Sequence, residues 1–131
     1  MKENSILLMK RKDTWYWDGY YWVPAGHVEK WESFTTATIR EAKEEIGIDL
    51  TKEQLKVVHV QHKKQNNANN ERIHVYLLAT ERTWEITNNE QWKCEEIHWF
   101  DINKLPENTL DCQKAALNEI KKWVFYSEFW W

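Results

Sequence analysis

The chain has 131 residues and a formal net charge of −3, and these two values bound its size and its partners. A chain of this length is expected to form one domain over residues 1–131, with one core and one site. The acidic balance argues against a stable nucleic-acid partner, because domains that neutralise phosphates usually carry a basic stripe. A polyanionic substrate would therefore need metal ions to bridge it to the protein.

The apolar segments and the cysteines predict a cytoplasmic protein with no membrane partner. The longest unbroken aliphatic stretch runs from Ile6 to Met9, far short of the ~20 residues that a membrane-spanning helix needs. No secretory pattern opens the chain. Cys94 and Cys112 are the only cysteines, which excludes a disulfide framework, and neither has the spacing of a zinc site.

Hydrophobic periodicity predicts five strands and two helices. The polar loop at Gln65–Glu71 separates two strand-like runs, which are expected to pair antiparallel. In chain order the predicted elements are strands at Ser5–Lys10 and Tyr20–Val23, a helix at Phe34–Ile46, strands at Leu55–His62, Ile73–Thr80 and Glu96–Phe100, and a helix at Cys112–Phe125. Helices inserted at separated points favour an α/β fold, in which a mixed sheet lies between two helices.

The first predicted helix carries an unusual cluster of like charges. Ser33 can cap its start, and Gly47 can end it in the left-handed conformation. Glu41, Glu44 and Glu45 fall on one face, where carboxylates three and four residues apart repel each other by ~0.2–0.5 kcal/mol per pair. A solvated acidic face would be the ordinary explanation, but such carboxylates also supply the hard oxygen ligands that Mg²⁺ or Mn²⁺ prefers.

The flanks of this helix complete a recognisable pattern. Gly26 is followed by five residues, Glu32, seven residues, and then the run Arg-Glu-Ala-Lys-Glu-Glu-Ile-Gly-Ile that ends at Ile48. This pattern resembles the Nudix box, and all seven literal residues of that box are present. Ala42 is the mild departure, since it is small where a larger aliphatic residue is usual. The order of elements is similar to the α/β/α sandwich of the Nudix family.

The resemblance implies hydrolysis of a phosphoanhydride in a nucleoside di- or triphosphate or a related derivative, with Mg²⁺ or Mn²⁺ as cofactor. Water would attack a phosphorus atom. Glu44 and Glu45 match metal ligands of the family, and Glu41 matches a residue that binds metal or serves as the general base. The backbone carbonyl of Ala25 matches a further metal ligand. The choice of general base stays open between Glu41, Glu44 and a residue outside the box.

Other residues of the box match supporting roles. Glu32 and Arg40 match a pair that ties the loop to the helix and supports the metal ligands. Arg40 is also counted with the catalytic groups. Gly26, Glu32 and Gly47 are counted as structural support. Outside the box, some family members recruit a further acid, and Glu90 is favoured here over two neighbours, Glu95 and Glu96.

The segment that leads into the box indicates a substrate class. Residues 20–29 are similar to those of MutT-like members, which act on nucleoside triphosphates. Tyr20 and Trp22 are candidates to stack on a base, and His27 is a candidate to reach a phosphate or a base edge. The partner implied is a small-molecule nucleotide. The alternative is a non-catalytic nucleotide- or protein-binding Nudix-like module, although such modules typically lose box carboxylates.

Several features depart from the family pattern. The strand that usually precedes Ser5–Lys10 is short or missing, and an unpaired sheet edge there would favour a homodimer or aggregation. Ten Trp accompany only three Gly, and Trp31 stands where the family commonly has Gly, at a position that predicts a positive φ. Trp84 is interpreted in the same way, at a hairpin turn. We hypothesise that some of these Trp are unnatural substitutions. Lys63, Lys64 and Arg72 flank the polar loop; they are candidates to contact phosphates, although a solvated charge cluster is the ordinary explanation.

Overall fold

A computed structural model describes residues 1, 4–15, 17–64, 70–80 and 84–131. Within it, all seven predicted elements are present, the first helix with its predicted bounds and the other six with shifted ends, and one further strand follows the last helix. The elements are β1 (Ser5–Arg11), β2 (Tyr21–Trp22), α1 (Phe34–Ile46), a 3₁₀ turn (Lys52–Gln54), β3 (Leu55–Lys64), β4 (Glu71–Ala79), β5 (Cys94–Asp101), α2 (Asp111–Lys121) and β6 (Tyr126–Phe129). The predicted loop at 65–71 lies outside the described residues except for residue 70 and for Glu71, which begins β4. No described helix has the length and apolarity needed to span a bilayer.

The strands form two three-stranded sheets, where the sequence predicted one mixed sheet. The first has the order β2-β1-β5, and both of its pairings are antiparallel. The second has the order β4-β3-β6, with β4 antiparallel and β6 parallel to β3. Only the second sheet is therefore mixed, and the unpredicted strand β6 makes it so.

Strand β1 is buried on both faces, and this places it at the centre of the fold. Ile6 to Met9 are all less than a tenth exposed. Leu7 and Met9 join a core cluster with side chains of α1, whereas Ile6 and Leu8 join a second cluster with a side chain of α2. A sheet covered by a helix on each face is an α/β/α sandwich, so the predicted fold class is confirmed.

Helix α1 has the bounds that its capping residues predict. The hydroxyl of Ser33 accepts a hydrogen bond from the backbone N–H of Thr36 at 3.1 Å. At the other end Gly47 adopts φ 71°, and its N–H donates to the carbonyl of Lys43 at 3.2 Å. Ala42 and Ile46 pack into the core, and the charged residues lie on the rest of the helix surface.

Helix α2 ends earlier than predicted, at Lys121 instead of Phe125. The backbone turns left-handed at Trp123, with φ 61°. Two bonds close the helix end: Trp123 N–H donates to Ile120 O, and Val124 N–H donates to Glu119 O, both at 3.0 Å. Val124 and the aromatic residues that follow suit an extended chain better than a helix, and the chain forms β6 beside β3 from Tyr126 onwards.

Two expectations about single residues are wrong, and one is confirmed. Lys63 alternates along β3 with the fully buried His59 and Gln61 and lies on the same face. It is therefore only 5% exposed and does not join a solvated cluster. Trp84 packs against the first core cluster and is not among the residues with positive φ. Trp31 does have a positive φ, of 65°.

Candidate functional site

Arg40 of α1 and Glu32 of the preceding loop form a bidentate ion pair. The guanidinium Nε and Nη2 donate to the two carboxylate oxygens at 2.8 and 2.9 Å. The Arg40 hydrogen bonds lower the pKa of Glu32 to about 2, and the bonds to Glu32 and Glu41 raise the pKa of Arg40. A planar guanidinium matched to a carboxylate fixes both side chains. The loop is thus tied to the helix, as the resemblance implied.

The same guanidinium holds other groups of the site. Nη1 donates to Glu41 at 2.6 Å and to Glu44 at 3.3 Å, while Nη2 donates to the backbone carbonyl of His27 at 3.0 Å. The Glu44 side chain is 54% exposed, against 17% for Glu41. Arg40 therefore organises the carboxylates and the loop, and we find it in a positioning role.

Gly26 is required by the position of Glu41. A Cβ atom at residue 26 would overlap the carboxylate carbon of Glu41 and its neighbouring atoms. Only a residue without a side chain leaves this space, so the first glycine of the box and the first glutamate of its helix are fitted to each other.

Glu45 is the buried carboxylate of the site. It is 4% exposed, and its Oε2 atom has no hydrogen-bond partner. Burial, a hydrogen bond with Glu41 and the nearby charges of Glu41 and Glu90 raise the pKa of Glu45 to about 9. A buried carboxylate with an unsatisfied oxygen is costly unless a cation or a donor completes it.

Glu90 reaches the site through a loop anchored to the end of α1. The N–H of Thr87 donates to Ile46 O at 3.0 Å, and that of Asn89 donates to Glu45 O at 3.1 Å. Gly47 permits this anchoring, since a Cβ there would overlap the Thr87 hydroxyl. Glu90 is 8% exposed and pairs with Lys93 at 2.5 Å.

The other two acids considered from the sequence are engaged elsewhere. Glu96 accepts a hydrogen bond from the Tyr21 hydroxyl, and Glu95 pairs with Lys10 at 3.5 Å. Of the three acids, the charge of Glu90 is the one that acts on Glu45 most strongly.

The residue types and their placement fit a divalent cation. The unpaired oxygen of Glu45 lies with the carboxylates of Glu41 and Glu90 nearby, a set of hard oxygen donors. In the described part of the chain, no three His, Cys, Asp or Glu side chains are already arranged around one point. Glu41 and Glu44 are instead hydrogen-bonded to Arg40.

An open cleft runs past these carboxylates. Ala25, Gly26, Glu41 and Glu45 line it, together with the three substrate candidates Tyr20, Trp22 and His27. Tyr20 is 37% exposed and meets Trp17 edge to face. Trp22 has less freedom, because it packs against the core and the Arg11 guanidinium lies 3.8 Å from its ring centroid.

Comparisons with known proteins agree with this architecture. A family model described as NUDIX domain matches residues 1–124. A curated relative, the ADP-ribose pyrophosphatase of Methanocaldococcus jannaschii, is 29% identical over 122 residues, which are 93% of this chain and 69% of that protein. The crystal structure of a MutT NUDIX hydrolase from Burkholderia pseudomallei has a TM-score of 0.79 at 26% identity, and covers 90% of this chain and 89% of that one. The E. coli dihydroneopterin triphosphate pyrophosphohydrolase shares the fold, with a TM-score of 0.68 at 19% identity over 92% of this chain and 86% of that one.

The sandwich and its carboxylate-bearing helix thus define a hydrolase. The chain belongs to the NUDIX family, and it is a pyrophosphohydrolase of the Nudix type.

Proposed function

We propose that this enzyme hydrolyses a phosphoanhydride bond in a small nucleoside di- or triphosphate or a related derivative, using Mg²⁺ or Mn²⁺ in the cytoplasm. The observation that supports this best is the buried, unpartnered oxygen of Glu45 beside Glu41. A divalent cation there would neutralise carboxylates that folding alone gives no reason to bring together.

Glu41, Glu45 and Glu90 are the side chains that would hold the ion, with Glu44 and the carbonyl of Ala25 as further donors at the cleft. When bound, the ion would bridge substrate phosphates and lower the pKa of a coordinated water. Within this proposal the exposed carboxylate of Glu44 can exchange protons with solvent, whereas Glu41 is more enclosed. The proton acceptor is drawn from these two residues.

The chain supports this chemistry mainly by positioning. Arg40 fixes Glu41 and is itself fixed by Glu32, so the carboxylate would be in place before substrate arrives. Preorganised charge of this kind lowers the reorganisation needed in the transition state. The bond from Arg40 to the His27 carbonyl also fixes the loop that carries Ala25 and Gly26.

The substrate class rests on the cleft and on the relatives. One relative is named for ADP-ribose and one structural neighbour for dihydroneopterin triphosphate, and both compounds contain a phosphoanhydride. Tyr20, Trp22 and His27 line the cleft near the carboxylates, where an aromatic base could stack. A small nucleotide suits this arrangement.

The proposal is tested by phosphate and pyrophosphate release from nucleoside triphosphates, oxidised purine nucleotides, nucleotide sugars, ADP-ribose and dinucleoside polyphosphates, with and without Mg²⁺ or Mn²⁺. Glu41→Gln, Glu44→Gln and Glu45→Gln are expected to lower kcat by at least about 10²-fold. Glu53→Gln, on the exposed 3₁₀ turn, is the matched control and should retain full activity. Folded protein that binds nucleotide but releases nothing would favour the binding-module alternative.

A further inference from the structure

Three alternate residues of strand β3 have polar side chains that are buried inside the protein. His59 and Gln61 are fully buried and Lys63 is 5% exposed. His59 contacts the Val124 carbonyl at 2.8 Å and the Ser127 hydroxyl at 2.7 Å. The Gln61 amide donates to the Cys112 carbonyl at 2.9 Å. The first two residues of the row are thus held by backbone and hydroxyl groups.

Lys63 is different, because its charge is not compensated. Its Nζ atom lies 3.8 Å from the sulfur of Cys112 and 5.0 Å from the ring centroid of Trp130. No carboxylate of the described residues forms an ion pair with it. A thiol and an aromatic face are weak partners for an ammonium group, and a buried charge of this kind is costly until an anion meets it.

Lys63 and the carboxylates line one large open cavity. Lys63 lines the same cleft as Glu41 and Glu45, and so do His74 and Gln113. Burial, followed by the charges of Lys63 and Arg72, lowers the pKa of His74 to about 4, so this ring is neutral and Lys63 and Arg72 supply the positive charge around it. The Gln113 side chain is already engaged by Val23 N–H and by the Tyr76 hydroxyl, each at 3.2 Å.

We propose that Lys63 determines substrate specificity by binding a negatively polarised oxygen of the substrate, and this rests on the proposed function. The oxygen belongs either to a phosphate or to a keto group of the base, which share the ability to accept from an ammonium. The metal-facing carboxylates and Lys63 would then engage different parts of one substrate in one cleft.

The test compares Lys63→Met with Lys63→Arg and with Lys64→Met, a neighbour on the same strand that is exposed. Lys63→Met keeps the aliphatic stem and should raise KM about tenfold or more, with a smaller change in kcat and no loss of Tm. Lys63→Arg should recover part of this loss, and Lys64→Met should behave as the parent enzyme. An unchanged KM for Lys63→Met would overturn the proposal.

Two substrate series identify the source of the oxygen. If Lys63 binds a phosphate, the KM penalty should be large for triphosphates and small for diphosphates of one nucleoside. If Lys63 binds the base, the KM penalty should be larger for nucleotides whose base carries a keto group than for nucleotides whose base carries an amino group. Calorimetry with inorganic pyrophosphate and no metal keeps the proposal testable even if no substrate is turned over. If no substrate is turned over, the proposed function fails. The Lys63 assignment would be contradicted separately if the parent and Lys63→Met proteins bound pyrophosphate with equal affinity and also bound nucleotide with equal affinity.

Five of the ten Trp lie in the left-handed backbone region. Six described residues other than glycine have a positive φ; they are Asp13, Trp15, Trp17, Trp31, Trp123 and Trp130. The five Trp values lie between 54° and 65°. This conformation is disfavoured by any side chain with a Cβ and is open to glycine, so a bulky aromatic residue is an unexpected occupant.

Two of these Trp stand at positions with a defined preference for glycine. The bonds from Trp123 and Val124 to the last turn of α2 form a Schellman motif with Trp123 at its left-handed residue. Helix α1 ends with Gly47 in the same conformation. Trp31 is the third residue of a turn closed by Glu32 N–H and Glu29 O at 3.1 Å, and a positive φ there is typical of glycine in a type II turn.

Burial does not offset this strain. Trp15 is 100% exposed, Trp31 93% and Trp123 77%. By contrast Trp22, Trp84 and Trp99 pack against the first core cluster, and none of them has a positive φ. The Trp residues that pack against the core and the Trp residues that have a positive φ are therefore separate groups.

We infer that these five are glycine positions, and that the polypeptide made in its own cells carries glycine there. The codon UGA supplies a route, since it is read as tryptophan in some genetic codes and as glycine in another. The glycine content supports this, because three glycines would become eight, against about nine at average usage.

Mass spectrometry of the protein from the cells that encode it tests the inference directly. Trypsin should release the peptide of residues 31–40, which differs by one whole indole side chain between the two readings. Glycine at residue 31 is expected, and tryptophan there would overturn the inference.

Recombinant protein supplies an independent test. Replacing all five Trp by Gly should raise Tm, by roughly 4 °C or more for each strained position relieved. Trp99→Gly, which removes a core-packed side chain, is the matched control and should lower Tm. The inference would be contradicted if the variant with all five replacements had a Tm no higher than that of the parent chain.

Discussion

Gly26 lies directly against the side chain of Glu41, so closely that a methyl group at residue 26 would occupy the space of the carboxylate. The overlapping atoms belong to the end of a flexible side chain. Substitution should therefore move Glu41 without unfolding the protein.

We expect Gly26→Ala to lower kcat on the order of 10²-fold, because a displacement of about 1 Å in a catalytic group has that effect. Steady-state kinetics with Mg²⁺ or Mn²⁺ measures it, and the Tm should fall little. Gly19→Ala is the control, since nothing lies within 4 Å of a Cβ there although its φ is +83°. That variant should lose stability and keep its turnover. Full activity of Gly26→Ala would show that the position of Glu41 does not matter.

Arg40→Lys tests the bidentate pair with Glu32. Lysine keeps the positive charge but cannot present two parallel N–H donors, so the bonds at 2.8 and 2.9 Å would not both form. We expect lower kcat, since Glu41 loses its fixed partner, and a lower Tm, since the loop is released from the helix. Lys43→Met is the control, because Lys43 only pairs with the exposed Asp49. Equal kinetics for Arg40→Lys and the parent enzyme would mean that charge alone suffices.

The parts of the fold that local signals specify were predictable from the sequence. The ends of α1 depend on Ser33 and Gly47, which lie next to the helix, and its buried face follows from periodicity. The Nudix box is likewise contiguous. Its glutamates could be placed on one face of the helix before any distance was known.

Features that depend on distant parts of the chain were not predictable. Glu90 approaches Glu45 because the backbone N–H groups of Thr87 and Asn89 form hydrogen bonds with the end of α1. No sequence pattern predicts these bonds. The burial of Lys63, on the same face of β3 as His59 and Gln61, depends on the elements packed over that face. Strand β6 was missed because the left-handed turn at residue 123 carries Trp, where glycine would have signalled the helix end.

Ser127→Ala tests the contribution of β6 to stability. The Val124 carbonyl can only accept, so it accepts from Nδ1 of His59, while Nε2 is paired with the Ser127 hydroxyl. Removing the hydroxyl leaves a fully buried nitrogen without a partner. We expect the free energy of unfolding to fall by about 1–3 kcal/mol. Denaturant unfolding measures this, with the exposed neighbour Glu128→Ala as control. A loss equal to that of Glu128→Ala would indicate that His59 finds another partner.

The pH dependence of stability should contain a contribution from His74. Burial, followed by the charges of Lys63 and Arg72, lowers its pKa from 6.5 to about 4. The folded state therefore binds fewer protons than the unfolded state in this range, and the free energy of unfolding should fall as the pH drops from about 6.5 towards about 4. The contribution of this partly exposed ring is on the order of 2 kcal/mol. Denaturant unfolding across the range should show a shallower decline for His74→Gln, whereas His98→Gln, exposed on β5, should keep the parent slope. Parallel curves for the parent and His74→Gln would assign the acid sensitivity to other groups.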